Sequence, residues 1–214
     1  IEYVVDPLGG GMAVLVALLS TLVALYAGPY LRDLSPRRTA VFDSLFLLLT
    51  SGLLGITLTG DLFNLYVFLE ITSLTSYALV SLGGGPAVVS AFRYVILGTV
   101  GAAFYLLSVG YLYSVTGSLN MADLAHILPD LYTSNAVLVG FAFFTIGMAI
   151  KMALFPMHAW LPGAYSNAPS AVSALIAATT TKVATYVLLR VMFYVFEPEF
   201  SIEMIPVTQL LSWM

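Results

Sequence analysis

The sequence contains no cysteine and only seven Lys and Arg among 214 residues. The first absence removes disulfides, thiolate metal sites and cysteine nucleophiles together. The second removes the basic surface that a nucleic-acid partner requires. Charge of either sign is scarce, 8% of residues against roughly 25% in a soluble domain. No GxGxxG follows a strand and there is no P-loop, so no nucleotide site is predicted. The apolar stretches hold no Ser–His pair, paired aspartates or HExxH, which argues against an intramembrane hydrolase. No cofactor or metal site is predicted. What is abundant is apolar surface: 60% of residues, with a mean hydropathy of +1.00. A soluble core of this size could not hide that much. The chain reads as an all-α polytopic membrane protein with the lipid bilayer as its solvent.

A helix needs roughly 20 apolar residues to cross the hydrocarbon layer. Six stretches qualify, at about 8–31, 40–59, 62–82, 91–115, 135–157 and 170–196. They are continuous rather than alternating, which excludes a barrel of strands. Between them fall LRDLSPRR, TGD, SLGGGP, TGSLNMADLAHILPD and FEPEFSIE. Gly60 closes one span and Asp61 is a natural N-cap for the next. The chain opens at Ile1 without methionine or a signal-peptide pattern, and an apolar run begins again at Trp213-Met214. Both features lead us to expect a piece of a longer protein.

Charges sort by side. Arg32, Arg37, Arg38 and Arg93 lie at alternate span ends that share one face of the bilayer; the opposite loops carry Asp123, Asp130, Glu197, Glu199 and Glu203. By the positive-inside rule the Arg32–Arg38 loop is cytoplasmic and the Asp123–Asp130 loop lies outside. Arg190 is nearer a span end, from which it can snorkel. His126 reads as a surface residue and Arg93 as an interfacial anchor.

Glu70, Lys151 and Lys182 remain deep in the spans, where an ionisable group costs on the order of 3 kcal/mol. Three such groups in one small bundle are expected to face each other and internal water. Tyr66, Glu70, Ser73 and Tyr77 are spaced four, three and four apart, which puts them on one helix face. Gly140, Gly147 and Lys151 share a face open to close approach. Thr179, Lys182, Thr185 and Tyr186 form a polar patch on the sixth span. A structural ion pair between Glu70 and Lys151 would account for two of the charges. The second lysine, lacking a matching buried acid, favours proton chemistry, because a desolvated amine changes its proton affinity readily.

KMALFPMHAWLPGAYSNAP, residues 151–169, carries Pro156, Pro162 and Pro169. Pro156 withholds the N–H that the Met152 carbonyl would accept, and Pro162 the one for His158. The fifth span is therefore predicted to break just past Lys151, and Pro169 to fit the first turn of the sixth. Irregular backbone at membrane depth is tolerated only within protein or beside water. His158, in the break, has a near-neutral pKa suited to relaying protons between the lysines, although a satisfied structural histidine is the plainer reading.

GDLFNLYVFLEITSLTSYALVSLGG, TGSLNMADLA, KMALFPMHAWLPGAYSNAPSAVSALIAATTTKVATY and LLRVMF together resemble the antiporter-like subunits. That family spans respiratory complex I, membrane-bound hydrogenases and Mrp-type sodium/proton antiporters. The resemblance implies helices three to eight of a fourteen-helix subunit with two inverted five-helix repeats. It divides the chain into 1–39, a helix and its cytoplasmic loop; 40–196, a half-channel repeat; and 197–214, an acidic outer loop and the start of another helix. It implies that Glu70 gates, that Lys151 is its ion-pair partner, and that Lys182 is the central relay with His158 between the lysines. It also implies other membrane subunits as partners, and protons and sodium as cargo. WLPGAY replaces the WLPDAH common in complex I, so Gly163 and Tyr165 lean toward the D-type component of the Mrp antiporters or its hydrogenase relative. A redox-driven pump subunit and a non-transporting structural subunit are the alternatives.

Overall fold

The computed structural model describes residues 2–32 and 35–204. Six helices are long and apolar enough to cross a membrane, and among the described residues only two isolated bridges, Tyr3 to Thr59 and Asp61 to Asn120, are strand-like. The protein is a multi-pass membrane protein. In order, the elements are α1 (Pro7–Arg32), α2 (Pro36–Leu58), α3 (Leu62–Ser81), α4 (Pro86–Thr116), the short α5 (Met121–Ile127), α6 (Asn135–Met152), the short α7 (Leu161–Asn167) and α8 (Ser170–Arg190), which continues as π-helix through Val195. The helix expected near Trp213 lies outside the described residues.

Local chemistry sets the boundaries. Pro36 and Pro86 open α2 and α4 in the first turn, where the missing N–H has no partner to lose. These starts are a few residues earlier than apolarity alone predicts, because Pro-Arg-Arg-Thr and Pro-Ala-Val-Val turn helical before the lipid level. Asp61 caps α3 as expected, its carboxylate accepting from the Asn64 N–H at 2.7 Å. Gly117 ends α4 in the left-handed region at φ 69°, which glycine occupies without strain. Pro169 stands at the N-cap of α8, one position ahead of the predicted first turn.

Helix α8 touches α1, α2, α3, α6 and α7, while α4 packs on α3, α6 and α7. Helix α1 lies outermost, against α2 and α8, with Val14, Leu18, Leu22 and Leu25 exposed. The closest packing joins α4 to α6. A side chain at Gly147 would come within 2.8 Å of the Gly101 carbonyl, so small residues permit an approach that lipid-embedded helices use in place of hydrophobic drive. The acidic segment after α8 folds rather than looping free. Phe196 and Phe200 are buried against Phe141, and Tyr132 donates to the Phe196 carbonyl. Burial and then the charges of Glu197 and Glu199 push the Tyr132 phenol up to about 12, which keeps it a donor.

Candidate functional site in the membrane interior

The fifth span stops where the prolines predict, one residue beyond Lys151. Ala153 closes α6 in the left-handed region at φ 57°, the Leu154 N–H returns to the Ala149 carbonyl at 2.9 Å, and the Phe155–Pro156 bond is cis. The Trp160 indole donates to the Ile150 carbonyl at 3.0 Å, which also accepts from the Ala153 N–H at 3.1 Å, so the backbone at the break stays satisfied. Pro162 does otherwise than predicted. It sits in the first turn of α7, and the His158 carbonyl accepts from Leu161 at 2.9 Å. It starts a helix instead of breaking one.

Lys151 therefore ends α6 level with the middle of α3, where its ammonium donates to the Ser73 hydroxyl at 2.6 Å. Around it lies a cavity of about 30 Å³, bounded by Leu53 and Ile56 of α2, Thr72, Ser73 and Ser76 of α3, Tyr94 of α4 and Thr180 of α8. That volume admits a water molecule. Thr72 and Ser76 give their hydroxyl protons to carbonyls of their own helix, at 2.9 and 2.7 Å. Their oxygen lone pairs remain for an ammonium or water. The sequence reading missed these hydroxyls and Thr180, though ITSLTS spaces them one helical turn apart.

The Glu70–Lys151 ion pair is not a contact pair. The Asp6–Arg190 bridge is the one ion pair among the described residues. Glu70 is half-buried and near enough for its charge to act on Lys151, but Ser73, one turn along α3, takes the ammonium. The other members of that face turn toward α4. Tyr66 stacks on Tyr105 at 6.3 Å and Tyr77 meets Tyr94 edge-on at 4.5 Å, with its hydroxyl beside Ser73.

Lys182 does not join this cluster. Its side chain is exposed in a groove between α8 and α1 lined by Gly11, Met12, Leu15 and Thr185, and its ammonium bonds the Ala177 carbonyl at 2.8 Å and the Thr181 hydroxyl at 3.3 Å. The predicted patch on the sixth span splits accordingly. Thr179 is buried on the Leu175 carbonyl, and Tyr186 is buried on the Thr57 carbonyl of α2, because α8 is packed on several sides and its polar residues meet different neighbours. The His158 ring lies 5.6 Å from Phe155, its Nδ1 is buried without a hydrogen-bond partner, and it does not line the cavity around Lys151. Trp160 is buried and stacked on Tyr94 at 4.0 Å. The Tyr165 hydroxyl donates to the Ile176 carbonyl at 3.3 Å, which also accepts from Thr180 at 2.7 Å; Thr180 lines the cavity and Thr181 holds Lys182.

Arg190 does not snorkel. It is 3% exposed and bound to Asp6, a pairing that sequence reasoning missed although VVDP and LLR lie at the same side of the bundle. His126 and Arg93 are on the surface, as expected. No group of metal-binding side chains occurs among the described residues.

The chain is 54% identical to the NADH-quinone oxidoreductase subunit N of Desulforudis audaxviator over all of this chain and 42% of that protein. It is 36% identical to the D component of the Na(+)/H(+) antiporter of Bacillus subtilis, over 86% of this chain and 38% of that one. The archaeal membrane-bound sulfane sulfur reductase superposes at a TM-score of 0.82 with 35% identity, over 92% of this chain and 39% of the matched one. The chain thus spans about two fifths of the length of the relatives it matches. The transmembrane family profile described as NADH:quinone oxidoreductase/Mrp antiporter matches residues 59–214, and the chain belongs to that family.

Proposed function

We propose that this chain is the proton-carrying part of a membrane subunit in a multisubunit cation/proton antiporter. The observation that carries the reading is Lys151, an ammonium at mid-membrane depth held by a hydroxyl and a small cavity instead of a contact carboxylate. Such an amine is poised to exchange its proton. Glu70, one turn from Ser73, stabilises the charged form when it is ionised and near; when it moves away, the proton leaves. The proton then passes through internal water to Lys182. Lys182 sits midway along its helix at the open surface of the described bundle, where lipid would solvate it poorly. It faces protein that this chain does not include.

In this reading residues 40–196 form one half-channel, the Arg32–Arg38 loop is cytoplasmic, the bilayer is the cell membrane, and sodium is the exchanged cation. Other membrane subunits complete the path. A second reading, a proton-pumping subunit of a redox-driven complex, is favoured by the higher identity to the oxidoreductase subunit N; against it stand Gly163 and Tyr165.

The test is sodium/proton exchange in vesicles holding the assembled complex, with and without an electron donor. Exchange that needs no donor and is lost in Glu70→Ala and Lys182→Ala, with assembly intact, is the expected result. Transport only with the donor selects the redox reading. Full transport in both variants rejects the relay.

A further inference from the structure

A second network, unused by the relay, lies at the acidic side of the bundle. Arg190 of α8 donates to the Asp6 carboxylate at 2.9 Å and to the Tyr186 hydroxyl at 2.8 Å. Tyr186 in turn donates to the Thr57 carbonyl of α2 at 3.1 Å. The other Asp6 oxygen accepts from the Gly9 N–H at 2.6 Å, fixing the start of α1. Gly9 is at the point of contact: a side chain there would come within 2.6 Å of the Thr57 carbonyl and 3.2 Å of the Tyr186 hydroxyl. The guanidinium is covered on further sides by the rings of Tyr186 and Tyr194, at 5.8 and 5.6 Å. Three helices thus meet on one arginine.

The network's position gives it a role. Lys182, Tyr186 and Arg190 are four residues apart and lie along one side of α8. Pro7, Leu8, Gly11, Met12 and Leu15 of α1 form the other wall of the groove that holds Lys182, and Tyr186 lines both groove and network. Helix α1 has otherwise an apolar, largely exposed surface, and apolar contact alone distinguishes poorly between a neighbouring helix and lipid.

We propose that Asp6 and Arg190 are positioning residues that pin the start of α1 to α8 and so fix the wall of the Lys182 groove. Arginine suits this task because it stays charged, and its Nη1 alone meets both acceptors. The pin itself rests on geometry; its consequence for ion movement rests on the function proposed above.

The experiment uses the assembled complex in membranes. Cysteines placed by Leu8→Cys and Leu189→Cys, both beside the pin, report α1 seating by their rate of disulfide formation, since this chain has no cysteine of its own. Arg190→Met is expected to slow that rate at least fivefold while assembly stays within twofold of the parent. A rate within twofold of the parent would overturn the pin. If Arg190→Met fails to assemble, Arg190→Gln, which removes the charge facing Asp6 and keeps a polar side chain, is read in its place. A slowed rate supports the pin and an unchanged rate rejects it. The cross-link does not involve transport, so a Lys182→Ala complex that transports normally rejects the relay and leaves the pin standing.

Discussion

Two cations lie inside this bundle, Arg190 buried and Lys151 half-buried, and they are solvated in opposite ways. Arg190 has a carboxylate at 2.9 Å, a phenol at 2.8 Å and two aromatic faces. Lys151 has one serine hydroxyl at 2.6 Å and space for water. The guanidinium cannot release its proton and is held by partners that do not need it to. The amine can, and its surroundings accept either form. A fixed charge organises helix ends; a weakly held one can do ion chemistry. The difference lies in the neighbours as much as in the residue type.

Breaking each site should produce unequal damage. Asp6→Asn leaves the buried guanidinium without its counter-ion and is expected to cost about 3–5 kcal/mol, read as lowered thermal stability in detergent or nanodiscs. Arg190→Met should cost clearly less, because Asp6 remains one third exposed and still caps α1; an equal loss in both would mean that the stranded guanidinium is not the source. At the other site, Ser73→Ala removes the direct acceptor of the Lys151 ammonium. A hydrogen bond to a charged group contributes about 1.5–3 kcal/mol, so transport should slow by roughly ten- to a hundredfold with assembly unchanged.

Smaller effects sharpen the surroundings. Gly98 faces the Tyr77 hydroxyl so closely that any added side chain displaces the ring. Gly98→Ala should cost about 1–3 kcal/mol through overpacking and should disturb transport, since Tyr77 lies beside Ser73. Pro162→Ala should cost under about 1 kcal/mol, because Pro162 lies in the first turn of α7. A loss of several kcal/mol there would restore the view of Pro162 as a helix breaker.

The spans were legible because membrane depth imposes length and apolarity on each helix separately. The break after Lys151 was legible because Pro156 acts on its own backbone. Side-chain facing was not, because it depends on which helices surround a residue. Spacing correctly grouped Ser73 with Tyr77, whose neighbours are the long α3 and α4. It failed for Lys182, whose helix is packed on several sides but open where the lysine emerges. For His158 spacing offered nothing, because an irregular turn has no period from which direction can be read. Asp6 and Arg190 escaped notice because each, taken singly, is an ordinary residue at a helix end. Their meaning comes from the packing of α1 on α8.

The central claim is that Lys151 works by giving up its proton. Lys151→Arg retains a positive charge and hydrogen-bond donors at Ser73 while removing the ability to deprotonate. In vesicles containing the assembled complex, the account predicts normal assembly and no ion transport from this variant. Transport at the parental rate would contradict it.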